Sequence, residues 1–143
     1  YGLGADDGWT MAINGVADRI DLLDGHRLRV IDYKSGYAPE PKRALQVPVY
    51  ALCAQELLAR ERGEAWTVDE GTYVAFTGKR QLLRVVDPAR SQTADALAAA
   101  RDRVRALVTD IEAGIFPPRP HELRICSYCA YASVCRKDYV GDE

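Results

Sequence analysis

The chain has 143 residues, 48% hydrophobic and 28% charged, which is enough for one domain with a real core. Its formal net charge of −2 argues against a domain that holds nucleic acid by bulk positive charge, and leaves room for an enzyme with a local basic groove. It contains no apolar run of about 18 residues, so no membrane contact is expected. The opening Tyr1-Gly2-Leu3-Gly4-Ala5-Asp6-Asp7 lacks the basic-then-apolar pattern of a secretory leader, which points to the cytoplasm. With no initial Met, the chain is expected to be a piece of a longer polypeptide or a processed one.

In chain order, residues 9–34 read as strands. Residues 9–14 are short and apolar, Gly15 marks a bulge or kink, and 16–23 continue extended to a turn at Asp24-Gly25. Residues 27–34 form the return strand, stopped by Ser35-Gly36, and a proline-bearing loop follows. Residues 42–62 read as a helix, with Leu45, Val49, Leu52, Cys53 and Leu57 at helical spacing and Gly63 as its stop. Pro48 fits that helix only close to its start, where no intrahelical bond is lost. Two strands, 71–77 and 81–86, flank Gly78-Lys79. Asp87-Pro88 then resembles an N-cap followed by a first-turn proline. The long helix after it carries Leu97, Val104, Leu107, Val108 and Ile111 on one face and ends at Gly114. The resulting order of elements is α/β, with an α+β sandwich-like layout around one central sheet. Residues 1–115 are expected to form the core and 116–143 a cysteine-rich tail.

The chemistry concentrates in Asp32-Tyr33-Lys34. Alternate residues of a strand share a face, so Asp32 and Lys34 extend the apolar stripe of Leu28 and Val30 while Tyr33 points away. Asp18 precedes the Asp24-Gly25 turn and falls roughly opposite Asp32 or Lys34. Two converging carboxylates suit a hard divalent cation, which takes oxygen ligands, polarises a phosphodiester and acidifies a bound water. Lys34 is placed to orient or deprotonate that water, or to neutralise charge on phosphorus. Taken alone, an Asp–Lys pair on a strand is more often a surface ion pair of small energetic weight. Gln46 and Tyr50, four apart, share a face of the first helix; alone they also describe ordinary packing.

In order, Gly15-Val16-Ala17-Asp18-Arg19-Ile20-Asp21, Val30-Ile31-Asp32-Tyr33-Lys34-Ser35-Gly36 and Gln46-Val47-Pro48-Val49-Tyr50 resemble the PD-(D/E)XK nucleases. Within that family the chain resembles the RecB and AddB type nuclease domains and the related CRISPR spacer-acquisition exonucleases. The resemblance implies a restriction-endonuclease-like core, a central mixed sheet flanked by helices. It implies a metal-dependent deoxyribonuclease, an exonuclease holding Mg²⁺ or Mn²⁺ through Asp18, Asp32 and the backbone carbonyl of Tyr33. Lys34 is then the catalytic lysine, and Gln46 and Tyr50 the supporting glutamine–tyrosine motif. Arg19, Lys42 and Arg43 are candidate DNA contacts, with Lys79, Arg80 and Arg84 as further basic positions. DNA and a helicase domain or subunit are the expected partners, in end processing and recombinational repair. The alternatives are a stand-alone or CRISPR-associated exonuclease and a DNA-end-binding scaffold that does not cut. Such nucleases usually begin with a helix bearing another acidic or histidine ligand. None fits before Trp9, so that segment is expected outside this chain.

Cys126, Cys129 and Cys135 have the spacing C-x2-C-x5-C, suited to three thiolate ligands of one metal centre. AddB-like and CRISPR-associated members share this spacing, which implies a four-iron four-sulfur cluster whose fourth cysteine also lies outside this segment. Cys53, at helical spacing from Gln46 and Tyr50, reads as a buried core thiol. A zinc site adding His121 is the alternative, and would make the tail an interaction module.

Overall fold

The alternation read in residues 27–34 sets the centre of the structure. In the computed structural model, which describes residues 2–4, 9–79, 81–89, 93–118, 120 and 123–135, these residues form one strand with Leu28, Val30 and Asp32 all buried. The strands are β1 (Gly2–Gly4), β2 (Thr10–Ala12), β3 (Arg19–Leu23), β4 (Arg27–Lys34), β5 (Thr67–Ala75) and β6 (Leu82–Val86). The helices are α1 (Gln46–Arg62) and α2 (Thr93–Glu112), with short 3-10 turns at Pro41–Arg43 and Leu123–Tyr128. β1 and β2 pair as a separate ribbon, so the described residues ahead of Trp9 include a strand and no helix.

The main sheet has the order β3-β4-β5-β6. β4 pairs antiparallel with β3 and parallel with β5, and β5 pairs antiparallel with β6. A parallel neighbour requires a crossover, and α1 supplies it. The fold is the expected α/β arrangement of a mixed sheet with helices. Two compact units divide at Val104 and Arg105. The first, Tyr1–Val104, holds the sheet, α1 and the first half of α2; the second, Arg105–Glu143, holds the end of α2 and the cysteine segment.

α1 is buried almost all round its first two turns, at Val47, Pro48, Val49, Ala51, Leu52, Cys53 and Ala54. A helix that is apolar on every side belongs inside, and this one has neighbours on every side. The sheet lies beneath it. Residues of the 13–20 stretch line a cavity of about 280 Å³ against its Tyr50 and Leu57. Ala96, Ala99 and Ala100 of α2 share a second cavity with Pro48.

Several element boundaries differ from the sequence expectation. β3 begins at Arg19 rather than Val16, because the Asp18 carboxylate takes the Tyr33 N–H at 2.8 Å, where the ladder would have continued. α1 begins at Gln46 rather than residue 42; Pro48 has no N–H, and its ring excludes a helical carbonyl four residues earlier, so only a late start accommodates it. β5 begins at Thr67 rather than Gly71. Its added residues include two carboxylates, and Asp69 pairs with Arg27 at 3.0 Å and Glu70 with Arg84 at 3.2 Å. Asp87 accepts the Ala89 N–H at 3.0 Å and so closes a local turn, while α2 starts at Thr93. The apolar stripe of α2 is buried at Leu97, Ala100 and Val104, but Leu107 and Ile111 are 47% and 55% exposed.

The sheet face opposite Leu28 and Val30 is charged. Arg29 bonds Asp21, its cross-strand partner, through Nε at 3.0 Å and Nη2 at 2.5 Å, and Arg19 bonds the other Asp21 oxygen at 2.7 Å. The hydrogen bond from Arg19, then that from Arg29, holds the Asp21 carboxyl below the usual carboxylate range, and the bond to Asp21 holds Arg19 above its own.

Gly71 sits mid-strand where a bulge shifts the β5–β6 register. A Cβ there would stand 2.8 Å from Val47 Cγ1 and 3.1 Å from Val86 Cγ2. Carbon atoms in contact stand about 3.5–4.0 Å apart. Glycine therefore lets α1 seat on the sheet. Gly71→Ala is expected to destabilise the fold by about 1–3 kcal/mol, the range for overpacking. The urea unfolding midpoint measures it; an unchanged midpoint would mean that helix and strand separate without cost.

Candidate active site

Asp32 and Lys34 leave the carboxyl end of β4 on its buried face. Asp32 is 2% exposed and Tyr33, between them, 39%, as alternation requires. Lys34 Nζ stands 2.7 Å from Asp32 Oδ2 and donates to Gln46 Oε1, also at 2.7 Å. Gln46 is the first residue of α1, and its Nε2 donates onward to the Tyr50 hydroxyl at 3.4 Å. One connected row thus joins Asp32, Lys34, Gln46 and Tyr50, from the end of a strand to the first turn of the following helix.

Asp18 reaches the same point from β3. The β3–β4 ladder runs to Arg19↔Ile31, so one step further sets Asp18 across from Asp32. The three-residue turn of Asp24, Gly25 and His26 selects that register, with Gly25 and His26 both at positive φ. Asp18 Oδ2 accepts the Tyr33 backbone N–H at 2.8 Å. Next to it, Gly15 comes so near Tyr50 that a Cβ would lie 3.0–3.1 Å from the ring and hydroxyl. The segment before Asp18 is therefore seated directly on the tyrosine that ends the row.

The electrostatics of Asp32 are unequal. Its Oδ2 is buried and has the Lys34 ion pair but no directed hydrogen bond. A buried carboxylate with unfilled lone pairs costs several kcal/mol relative to water, and a hard cation with oxygen preference meets that need. The donor set fits such a cation: two carboxylates, Asp18 and Asp32, brought to adjoining strands. Among the described residues no group of three or more His, Cys, Asp or Glu side chains is placed to hold a metal.

One residue of this region is absent from the sequence reading. Tyr73 on β5 lies beside Asp32 in the parallel register and is 1% exposed. Lys34 Nζ is 5.6 Å from its ring centroid, within the range of a cation–π contact. Burial pushes its hydroxyl above the ordinary tyrosine range. Its only sequence signal is alternation within residues 71–77; the pairing that brings it to Asp32 depends on the register across α1.

The other candidates lie apart or are already engaged. Arg19 is held by Asp21, Arg43 Nε lies 3.4 Å from Glu40, and Arg84 bonds Glu70. The Lys42 side chain, Arg80 and His121 lie outside the described residues. His26 is at the opposite end of β4, where its Nε2 contacts Glu64 at 2.9 Å. Cys53 is buried, which pushes its thiol up and suits a core residue. In the second unit, Cys126, Cys129 and Cys135 are free thiols; the Cys129 N–H donates to the Cys126 carbonyl at 3.4 Å, and the three do not form a ready metal cage.

A family model for the PD-(D/E)XK nuclease superfamily matches residues 1–136. No curated protein and no solved structure matches the chain. Nucleases of this superfamily use divalent metals, the class of ion that the Asp32 oxygen fits. The match spans the sheet, α1, α2 and the cysteine segment alike, and the chain belongs to the PD-(D/E)XK nuclease superfamily.

Proposed function

We propose that the chain is a divalent-metal-dependent deoxyribonuclease that hydrolyses phosphodiester bonds, with Asp18, Asp32, Lys34, Gln46 and Tyr50 as its working residues. The observation that carries this is the Lys34 ammonium held at 2.7 Å from both the buried Asp32 oxygen and Gln46 Oε1. Asp18, Asp32 and the Tyr33 carbonyl would hold Mg²⁺ or Mn²⁺. When bound, the ion supplies a polarised phosphate and a more acidic water.

The remaining work belongs to the side chains. Gln46 accepts the hydrogen bond of Lys34 and Asp32 pairs with its charge, so Lys34 is the cation of this row, and its charge would face the position where a phosphate oxygen gains negative charge. Gln46 holds the ammonium in place, and its amide in turn is oriented by Tyr50. The Asp18 carboxylate is tied by one oxygen to the Tyr33 N–H, which leaves the other for the ion. Exonuclease action at DNA ends beside a helicase, in recombinational repair, is the finer reading. Its support is the order and spacing of the motif residues together with the cysteine tail. Lys42 and Arg43, just ahead of α1, are the basic residues proposed to meet the phosphates of the strand, while Arg19 is held by Asp21 on the opposite face.

The experiment is cleavage of an end-labelled duplex and of a single strand, with Mg²⁺ or Mn²⁺ and with EDTA. Wild type is expected to cut only with metal. Lys34→Ala should lose about 100-fold or more in kcat, the scale for removing one group that stabilises transition-state charge. Equal inertness of both proteins, at a length that includes the expected first helix, would overturn the nuclease reading in favour of an end-binding scaffold.

For the tail, the C-x2-C-x5-C spacing supports a four-iron four-sulfur cluster, while the placement of the three thiols supplies no ready cage. Metal analysis of anaerobically purified protein is expected to find iron with acid-labile sulfide, lost in Cys126→Ser. Zinc in place of iron would instead support the interaction-module reading.

A further inference from the structure

We infer that Tyr73 is a positioning residue of the nuclease site: it caps the start of α1 from across the sheet and so fixes Gln46 against Lys34. The inference rests on the proposed nuclease reading for its catalytic consequence, but its geometry stands on independent observations.

α1 lacks a side-chain cap at its start. A helix leaves its first N–H groups without intrahelical partners, and a Ser, Thr, Asp or Asn just ahead of it usually satisfies one. The residue there is Leu45, whose side chain makes no capping bond. In the first turn of α1, Pro48 has no N–H and Val49 bonds back to the Leu45 carbonyl at 3.1 Å. That leaves the N–H groups of Gln46 and Val47 in a region where Val47 is fully buried. A buried, unsatisfied backbone donor costs about 1–3 kcal/mol.

Tyr73 meets this need. Val47 N–H donates to Tyr73 Oη at 3.0 Å. The same side chain presents its ring to Lys34 Nζ, and its strand position adjoins Asp32. One phenol therefore reaches the lysine of the Lys34–Gln46 bond through its ring, and the helix turn that carries the glutamine through the Val47 N–H. Gly71 contributes from the same strand, since a Cβ there would strike Val47. A phenylalanine at 73 would keep the fill and the ring contact and lose only the capping oxygen. That makes Tyr73→Phe a clean probe.

The test uses the full chain as wild type, Tyr73→Phe, Gln46→Ala and the double variant. NMR of ¹⁵N-labelled protein reads the Gln46 side-chain amide and the exchange of the Val47 N–H with no need for activity. In wild type, Val47 should be protected against exchange although it lies in the first turn. In Tyr73→Phe that protection should fall and the Gln46 side-chain signals should move. Cleavage kinetics form the second arm. Tyr73→Phe should lower kcat about tenfold at unchanged KM, since small misplacements of a positioned group carry costs of that order or more. The loss should vanish in the Gln46→Ala background, because the two substitutions break the same link. A structural role alone would give additive losses. An inert wild type would sink the nuclease reading while the NMR arm still decides the capping. Should Tyr73→Phe fail to fold, wild-type exchange decides it: a protected Val47 amide supports the cap. An unprotected Val47 amide in wild type, unmoved Gln46 signals in Tyr73→Phe, or additive kinetics would overturn the inference.

Discussion

Removing the Asp32 carboxylate from water is the costly step around which this fold is arranged. An ion in a low-dielectric setting loses solvation worth several kcal/mol, and a single surface-type contact does not restore it. The Lys34 ammonium offsets part of that cost, and its own placement depends on Gln46 at the head of α1. The carboxylate, the lysine and the helix start are therefore coupled. A change at any one of them leaves a buried charge or donor without its partner.

That coupling explains why the site lies where a strand, a crossover and a parallel strand meet. β4 carries Asp32 and Lys34 on one face because its period is two. α1 follows β4 and must return the chain to the parallel β5, so its first turn lies close to the end of β4 and beside Tyr73. The hairpin on the other side brings Asp18 up to Tyr33. Three elements with different sequence neighbourhoods thus converge on one carboxylate. The charged opposite face, with Asp21, Arg29 and Glu70, is held by cross-strand ion pairs and lies apart from this chemistry.

Much of this was legible in the sequence, for reasons that differ by element. The span of β4 and the shared face of Asp32 and Lys34 followed from strict alternation next to a glycine turn. The Gln46–Tyr50 relation followed from helical spacing. Asp18 was readable only to within a residue or two, because its partner depends on whether His26 belongs to the turn; its left-handed backbone makes the loop three residues long and selects Asp32. The starts of α1 and β5 were misread where tertiary structure decides. Pro48 excludes an earlier helix start, and Asp69 and Glu70 enter the sheet because arginines on neighbouring strands receive them. Tyr73 had no local signal beyond strand alternation. Its role arises from a register between strands separated by a whole helix, and a single sequence does not encode that as a pattern.

On the proposed function, Asp32 and Asp18 would together hold the divalent cation. Titration of Mn²⁺ into the metal-free protein, followed by the electron paramagnetic resonance signal of free Mn²⁺, tests it without reference to any substrate. One specific site is expected, weakened at least tenfold by Asp32→Asn and by Asp18→Asn, about 1.4 kcal/mol or more in binding free energy. Binding that is indifferent to both substitutions would contradict the account.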